Sequence, residues 1–597
     1  MLNDYIKIMK YSYLFLLLIF ISCGEEKSID ALDTSGEIEN TKEFKTPFEK
    51  GNGNQTATYE QTVDFYQKLA NNFASVLIEE VGTTDSGKPL HLVTYSKSAV
   101  DWEQPHEDQI KILVNNGIHP GESDGIDATM MLMRDLATGK IDAPENLIFS
   151  TIAIYNIGGS LNRNSTSRTN QNGPEAYGFR GNARNFDLNR DFIKADTRNA
   201  FAFYEVFHKT HPDIFIDNHV SNGADYQYVL THLFSQHSKM ANPAGAYLKN
   251  ELQPQLEKRL AQRNWDITPY VNVFGRTPDS GFSQFMDHPR YSTGYTALWN
   301  TLGMMVETHM LKPYKDRVQG TRVLMEEMIS LGTQNMEQIK KVRIASLEKD
   351  KKLKKYAYNY VLDTTRVDTL EFKGYEGIID KSKVTGNALL TYDRKKPFNK
   401  KVPYYSYFKA TDSIKIPDYY VIPAGQWEVI DRLRANKVQM ELVGENRAMK
   451  VNAYKIKSFE TGRNAYEGHY PQSKIKVEEV VEKLRFRESD ILIPTKQPAI
   501  KYIVETLEPQ MADSFFKWNF FDTILQQKEG FSTYVFEQTA KELLNQNKML
   551  KKEFDSLKQV DKGFADSNYR QLNWLHKRSP NYEKAHLSYP IYRYFKN

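Results

Sequence analysis

Short apolar runs alternate with segments of helical periodicity between residues 59 and 335. The apolar runs lie at 78–82, 90–95, 110–114, 147–155, 214–216 and 304–306. The helical patterns lie at 59–78, 125–136, 197–210 and 241–262. Strands that alternate with helices are typical of an α/β domain with a largely buried sheet. We therefore predict an α/β fold for this part of the chain.

The N-terminal segment has the pattern of a secretory signal. Lys7 and Lys10 precede an apolar run at 11–21, which is shorter than the roughly 20 residues of a spanning helix but suits a signal peptide. Cys23 follows in the sequence Ile-Ser-Cys-Gly, which resembles the lipobox of bacterial lipoproteins, where the thiol carries diacylglycerol. We predict a lipoprotein-type signal peptide at 1–23 and a lipid-anchored protein of the bacterial cell envelope, periplasmic or surface-exposed. The alternative is an ordinary cleaved signal or an uncleaved anchor.

Composition argues against disulfides, thiolate metal sites and a nucleic-acid-binding face. Cys23 is the only cysteine, so the mature protein has neither disulfides nor thiolate metal ligands, and any metal site must use His, Asp and Glu. The net charge is +4 and is spread along the chain, so no basic face for nucleic acid is expected.

The chain of 597 residues is long enough for more than one domain. Residues 24–58 are polar and aperiodic, which predicts a flexible tether. Residues 59–335 form the predicted catalytic domain, and 336–359 a charged, solvated helical connector. Residues 360–597 combine strand-like and helical segments, and we predict an accessory α+β region of unknown role.

A histidine and a glutamate lie three residues apart directly after the apolar run 110–114. The segment VNNGIHPGESDG places His119 and Glu122 in a turn at the carboxyl edge of the predicted sheet, where open α/β folds bind their ligands. Imidazole nitrogen and carboxylate oxygen form a zinc-type ligand pair. Because His-x-x-Glu alone arises often by chance, the interpretation requires a third ligand.

His219 is the best third ligand. It follows the short apolar run 214–216 and precedes a Ser/Gly turn, which predicts a position at the same sheet edge. The rival pair His208 and His211 ends a helix, where cations favour the helix dipole. Asp187 is the expected acceptor for the second nitrogen of one imidazole, as metal-binding histidines usually require.

Ordered motifs in this region resemble the zinc metallocarboxypeptidases, the carboxypeptidase A/B-like family. The motifs are His119-x-x-Glu122, the block RGNARNFDLNRDF at 180–192, His219, and Glu307 within MMVET at 304–308. The segment VGTTDSGKPLHLVTYS at 81–96 is similar to that family's first hairpin. The resemblance covers residues 59–335 and implies a mixed sheet flanked by helices. It does not extend to 360–597.

The resemblance also implies a catalytic machinery. One zinc ion per chain would be held by His119, Glu122 and His219, with a fourth position open to water. Zinc lowers the pKa of bound water toward about 7. Glu307 would act as general base, and Arg180 would stabilise negative charge that develops on the scissile carbonyl.

Two further residues match the pair that binds a substrate's terminal carboxylate. These are Asn189 and Arg190, and a planar guanidinium is a natural partner for a carboxylate. The family's substrate-contacting tyrosine is either Tyr291 or Tyr295, and we prefer Tyr295. Arg163, Arg168 and Arg184 are expected to be solvated or structurally paired.

The sequence departs from the family pattern at 156–159, where Asn-Ile-Gly-Gly replaces Asn-Pro-Asp-Gly, and in an elaborated loop at 160–179. The residues together predict a zinc-dependent hydrolase that removes C-terminal residues from peptides with a free C-terminus. One alternative is a zinc amidase that acts on cell-wall stem peptides or N-acyl amino acids. Another is a catalytically silent envelope protein that binds peptides or glycans through the accessory region, although a pure binder has no need for both zinc ligands and a base.

Overall fold

The computed structural model of the protein describes residues 44–104 and 106–596. The predicted signal peptide with Cys23, and residues 24–43 of the predicted tether, lie outside the described residues. Among the helices in the described ranges, none combines the length and the apolar character that a membrane crossing requires.

The flexible tether does not extend to residue 58, so this part of the prediction is wrong. Phe44 and Phe48 are each 5% exposed and belong to the main hydrophobic core. Thr46 and Glu49 form a capping box around a short helix, and Glu49 pairs with the buried Arg134 at 2.6 Å. Two phenylalanines and one ion pair therefore fix a segment whose average composition is polar.

Nine strands lie in the first part of the described chain. They are β1 (Val76–Thr83), β2 (Pro89–Tyr95), β3 (Ile110–Asn115), β4 (Leu147–Ile152), β5 (Ile214–Ser221), β6 (Leu230–Phe234), β7 (Ile267–Pro269), β8 (Phe282–Ser283) and β9 (Leu302–His309). Eight of them form one sheet in the order β1-β2-β4-β3-β5-β9-β6-β7. The four central strands β4, β3, β5 and β9 run parallel, whereas β1 with β2, β2 with β4 and β6 with β9 are antiparallel. The predicted mixed sheet is confirmed.

Helices cover both faces of this sheet. They are α1 (Pro47–Lys50), α2 (Tyr59–Asn72), α3 (Asp124–Ala137), α4 (Ile157–Leu161), α5 (Arg198–Thr210), α6 (His237–Met240), α7 (Pro243–Tyr247), α8 (Gln253–Gln262), α9 (Ser292–Thr296), α10 (Tyr314–Gln334) and α11 (Met336–Asp350). Side chains alternate between the faces of a strand. Accordingly, Ile112 and Val114 pack with α2, α3 and α10, whereas Leu113 packs with α5 on the other face.

The predicted connector is helical as α11 but is not fully solvated. Ile339 and Val342 of α11 are buried in the same core as α3 and α10. The helix ends at Asp350, and the next strand begins at Lys355. Of the lysines in this segment, Lys340, Lys341 and Lys349 lie in α11, and Lys340 is only 17% exposed and lies 3.6 Å from Asp213.

The accessory region contains ten strands and six helices within the described residues. The strands are β10 (Lys355–Leu362), β11 (Asp368–Lys381), β12 (Ala388–Tyr405), β13 (Phe408–Lys415), β14 (Tyr419–Ile422), β15 (Glu441–Leu442), β16 (Arg447–Thr461), β17 (Gln472–Phe486), β18 (Ile491–Pro494) and β19 (Tyr592–Tyr594). The helices are α12 (Trp427–Ala435), α13 (Ile500–Leu507), α14 (Thr533–Gln546), α15 (Lys548–Val560), α16 (Lys562–Ala565) and α17 (Asn568–His576). Six strands form a second sheet in the order β15-β18-β14-β19-β16-β17.

The accessory region shares a hydrophobic core with the eight-stranded sheet. Phe203 of α5 and Tyr295 of α9 belong to the same buried cluster as Tyr420 of β14, Tyr454 of β16 and Tyr502 of α13. One face of the eight-stranded sheet and its helices is therefore covered by the accessory region.

Candidate active site

Three adjacent parallel strands carry the predicted metal ligands and the predicted base. His119 and Glu122 lie in the turn between β3 and α3, and His219 lies near the carboxyl end of β5. Strand β9 pairs with β5 so that Glu307 lies directly opposite His219. Since β3, β5 and β9 run in the same direction, their functional side chains meet at one edge of the sheet.

The side chains of His119, Glu122 and His219 converge. One ligand atom from each lies within 4.8 Å of the others. Nδ1 of His119 and Nδ1 of His219 each lie 3.2 Å from Oε2 of Glu122. All three residues are 3% exposed. Nδ1 of His119 is buried without a hydrogen-bond partner among the described residues, which is the condition expected of an atom that ligates a cation.

A carboxylate holds the other nitrogen of each imidazole. Nε2 of His119 lies 2.9 Å from Oδ1 of Asp187, and Nε2 of His219 lies 2.9 Å from Oδ2 of Asp217. An Nε2–H that donates to a carboxylate leaves the Nδ1 lone pair free, which is the arrangement that zinc-ligating histidines use. The sequence predicted Asp187 but not Asp217, although the i, i+2 spacing of Asp217 and His219 places both on one face of β5.

Nearby positive charges keep two carboxylates ionised, that of the predicted ligand Glu122 and that of Asp187. Burial acts to raise the pKa of Glu122, but His119 and Arg168 outweigh burial and hold the pKa well below its usual value. Burial also acts to raise the pKa of Asp187, and the charges of His119 and Arg180 again lower it overall. Both groups therefore carry negative charge at neutral pH, as metal ligation and imidazole orientation require.

Glu307 differs from these carboxylates. Burial raises the pKa of Glu307 to about 7, with Glu122 adding to the rise and His219 opposing it. The side chain lines the same cavity as the three candidate ligands. A carboxyl group with a pKa near the working pH is suited to accept a proton and then release it.

Two of the predicted arginines and Asn189 lie at the cavity wall. Nε of Arg180 donates to Oδ2 of Asp187 at 2.9 Å, and Nη1 of Arg180 lies 3.4 Å from Oε1 of Glu122. The guanidinium carbon of Arg190 lies 4.8 Å from the centre of the Tyr291 ring, and its Nη1 donates to the carbonyl of Asn189 at 2.8 Å. Arg180 and Arg190 therefore border one space together with the metal ligands.

Arg168, which the sequence analysis expected to be solvated or structurally paired, forms an ion pair with the predicted ligand Glu122. Its Nη1 donates to Oε1 of Glu122 at 2.8 Å. Gln171 of the same loop donates to the carbonyl of Gly121 at 2.9 Å. A Cβ atom at Gly121 would lie only 2.6 Å from the Arg168 side chain, so glycine is required for this approach. The elaborated loop 160–179 is therefore part of the cavity wall.

The cavity that joins these groups has a volume of about 710 Å³, which is within the usual range for ligand sites. Aromatic and methionine side chains form the apolar part of its wall. These are Tyr270, Phe285, Tyr291, Met305 and Met310. The predicted ligands, Glu307, Arg180, Asn189 and Arg190 line the polar part.

No protein-family model matches the chain, and no curated protein sequence matches it. Solved structures that resemble it include a metallo-carboxypeptidase from Burkholderia cenocepacia, at 14% identity and a TM-score of 0.33 over 46% of this chain and 69% of the other. A metallo-carboxypeptidase from Pseudomonas aeruginosa, in complex with (2-guanidinoethylmercapto)succinic acid, gives 13% identity and a TM-score of 0.33 over 47% and 70%. Carboxypeptidase A from Helicoverpa armigera gives 12% identity and a TM-score of 0.33 over 47% and 73%. These three proteins are carboxypeptidases.

The preference for Tyr295 as the substrate-contacting tyrosine is wrong. Its side chain is 0% exposed, and its hydroxyl donates to Oδ1 of Asn436 at 2.5 Å in the core shared with the accessory region. Tyr291 lines the cavity instead and stacks against Arg190. Tyr270, which the sequence did not single out, lines the same cavity. Tyr291 is the N-cap residue of α9 and has an extended backbone (φ −92°, ψ 154°), whereas Tyr295 lies within that helix.

Proposed function

We propose that the protein is a zinc-dependent carboxypeptidase that removes C-terminal residues from peptides. The observation that carries the proposal is the convergence of His119, Glu122 and His219 beside Glu307 in a cavity that also contains Arg190. A metal-binding cluster, a carboxyl group with a pKa near neutrality and a guanidinium at the wall are the parts that such hydrolysis requires.

The residues at the cluster fit zinc. Two imidazole nitrogens and one carboxylate oxygen are the ligand types and the number that catalytic zinc sites use. The buried Nδ1 of His119, which lacks a hydrogen-bond partner in the described protein, supports this assignment. Zinc bound by such ligands acts as a Lewis acid and lowers the pKa of water toward about 7. We expect one zinc ion per chain.

Glu307 moves the proton. Its carboxylate accepts a proton from the attacking water and delivers it to the amine nitrogen of the departing residue. Burial raises the pKa of Glu307 above its ordinary value, which makes its carboxylate a stronger proton acceptor. Arg180 donates hydrogen bonds to the oxygen of the scissile carbonyl as negative charge develops there.

Asn189 and Arg190 bind the free carboxylate of the substrate. The Arg190 guanidinium is held against the ring of Tyr291, which limits the directions in which its N–H groups point. A substrate without a terminal carboxylate would leave this guanidinium without its partner. Recognition of the chain end is thus the proposed basis for exopeptidase rather than endopeptidase cleavage.

The test uses the mature protein without residues 1–23. We expect about one zinc per chain by elemental analysis and hydrolysis of free-acid peptides in preference to their C-terminally amidated twins. Glu307→Gln should retain zinc and lose about 10²–10⁴-fold in kcat, because it removes the proton carrier alone. An unchanged kcat in this variant refutes the role of Glu307, and equal cleavage of amidated peptides refutes the role of Asn189 and Arg190.

The same assay separates the proposal from the related amidase activity. Muropeptides and N-acyl amino acids are offered beside ordinary peptides, and preferential cleavage of either class identifies the amidase. We further propose that lipid on Cys23 anchors the protein in the cell envelope. Incorporation of labelled fatty acid should be seen in the full-length protein and lost in Cys23→Ser.

A further inference from the structure

A turn of the accessory region contacts the loop that carries the proposed carboxylate-binding pair. We call residues 462–471, between β16 and β17, the bracing turn, and residues 186–196 the carboxylate loop. Oε2 of Glu467 in the bracing turn accepts a hydrogen bond from the backbone N–H of Asp187 at 2.8 Å. Nε2 of His469 lies 2.7 Å from Oδ2 of Asp196 at the other end of the carboxylate loop. The bracing turn thus holds the loop near both of its ends.

The peptide group that Glu467 holds lies immediately before the turn that presents the substrate-binding side chains. Residues Leu188–Arg190 form one turn of 3₁₀ helix. Oδ1 of Asp187 accepts the N–H of Asn189 at 2.9 Å, and the carbonyl of Asp187 accepts the N–H of Arg190 at 2.9 Å. The backbone position of Asp187 therefore determines where Asn189 and Arg190 point.

The bracing turn has a well-defined shape. Tyr466 and His469 exchange backbone hydrogen bonds of 2.8 and 3.1 Å. Between them, Glu467 and Gly468 have φ values of +50° and +78°, the left-handed geometry of a tight two-residue hairpin turn. A Cβ atom at Gly468 would lie 3.1 Å from the ring of Phe186, so the tip of the turn packs closely on the carboxylate loop. Such a turn can fix a neighbouring backbone group because it is itself constrained.

We infer that Glu467 is a positioning residue for substrate recognition. It fixes the backbone of the carboxylate loop and so holds Asn189 and Arg190 in place for the terminal carboxylate of the substrate. The inference rests on the proposed carboxypeptidase function. It also gives the accessory region a role, because residues 447–486 then complete the substrate site rather than form a separate module.

Steady-state kinetics of the mature protein provide the first test. Glu467→Ala should raise KM for free-acid peptides about 10-fold, the scale of one lost charge-assisted hydrogen bond, with kcat changed less than about 2-fold. Glu467→Gln keeps an acceptor oxygen and should restore most of the parental KM. The matched control is Glu460→Ala on the same hairpin. Within the described part of the chain, the exposed Glu460 side chain pairs only with Lys474 at 3.0 Å, so this variant should leave KM unchanged.

Hydrogen–deuterium exchange provides a test that does not depend on activity. Peptides that cover residues 186–196 should exchange about 10-fold faster in Glu467→Ala than in the parental protein, for the same loss of a hydrogen bond. Unchanged exchange in this loop overturns the inference. If the parental protein is active, an unchanged KM in Glu467→Ala overturns it as well. A parental protein that cleaves no free-acid peptide overturns the proposed function instead, and the exchange data then decide separately whether Glu467 holds the loop.

Discussion

Replacement of Asp187 by asparagine should weaken metal binding without removing any metal ligand. The Asp187 carboxylate accepts the Nε2–H of His119 at 2.9 Å and is only 13% exposed. Loss of an outer carboxylate partner typically reduces metal affinity about 10–100-fold. That factor corresponds to about 1.4–2.7 kcal/mol of binding free energy.

The surroundings of Asp187 place the expected loss in the upper part of this range. The second carboxylate oxygen accepts from Nε of Arg180 at 2.9 Å, so an asparagine NH₂ group at that position would face another donor. An asparagine rotated to avoid the guanidinium would instead turn its NH₂ group toward His119. Either rotamer loses one of the two contacts, and we expect zinc to bind about 30–100-fold more weakly.

Competition with a chromophoric chelator at pH 7 measures this affinity directly. Asp217→Asn should produce a comparable loss through His219, whose Nε2 lies 2.9 Å from Asp217. Asp142→Asn is the control, because that side chain is 100% exposed and, among the residues that the structure describes, pairs only with Lys97. Zinc affinity of Asp187→Asn within about 2-fold of the parental value would refute the view that Asp187 orients a metal ligand.

Two further predictions concern the buried core beside the site. Tyr295→Phe should leave kcat and KM unchanged and destabilise the protein by about 1–3 kcal/mol, since Oδ1 of the buried Asn436 loses its 2.5 Å donor and is left with the longer 3.5 Å contact to Nε2 of His208. A substantial loss of turnover at unchanged stability would restore Tyr295 to the substrate site. Burial lowers the pKa of His208 to about 3, below its ordinary value of about 6.5. Between these values the unfolded chain binds a proton that the folded chain does not, so stability falls as the pH decreases, by about 1.4 kcal/mol per pH unit. His208→Gln should show a correspondingly smaller loss of stability between about pH 6 and pH 4 in urea unfolding, and identical pH slopes would contradict this.

The metal ligands could be predicted from the sequence because local signals locate them. His119 and His219 each follow a short apolar run, and parallel strands bring the residues at their carboxyl ends to one edge. Glu307 could be predicted for the same reason, because it lies near the carboxyl end of β9, which runs parallel to β5. Strand order and register did not have to be known for these residues to be recognised as neighbours.

Residues whose position depends on distant contacts could not be predicted in this way. Tyr291 and Tyr295 lie in the same short segment, and contacts with Asn436 and Tyr502 of the accessory region bury Tyr295. Glu467 is 280 residues from Asp187, and no periodicity connects them. Arg168 belongs to a loop without regular structure, and its contact with Glu122 depends on how that loop folds back.

The six-stranded accessory sheet has a consequence for how the protein must be made. Strand β19 lies between β14 and β16, bonded to both, although both precede it by more than a hundred residues in the chain. Until Tyr592–Tyr594 has been synthesised, β14 and β16 lack their shared neighbour. The hairpin that carries Glu467 then lacks the strand that joins it to β14, so the six-stranded sheet is completed only when this late strand is inserted.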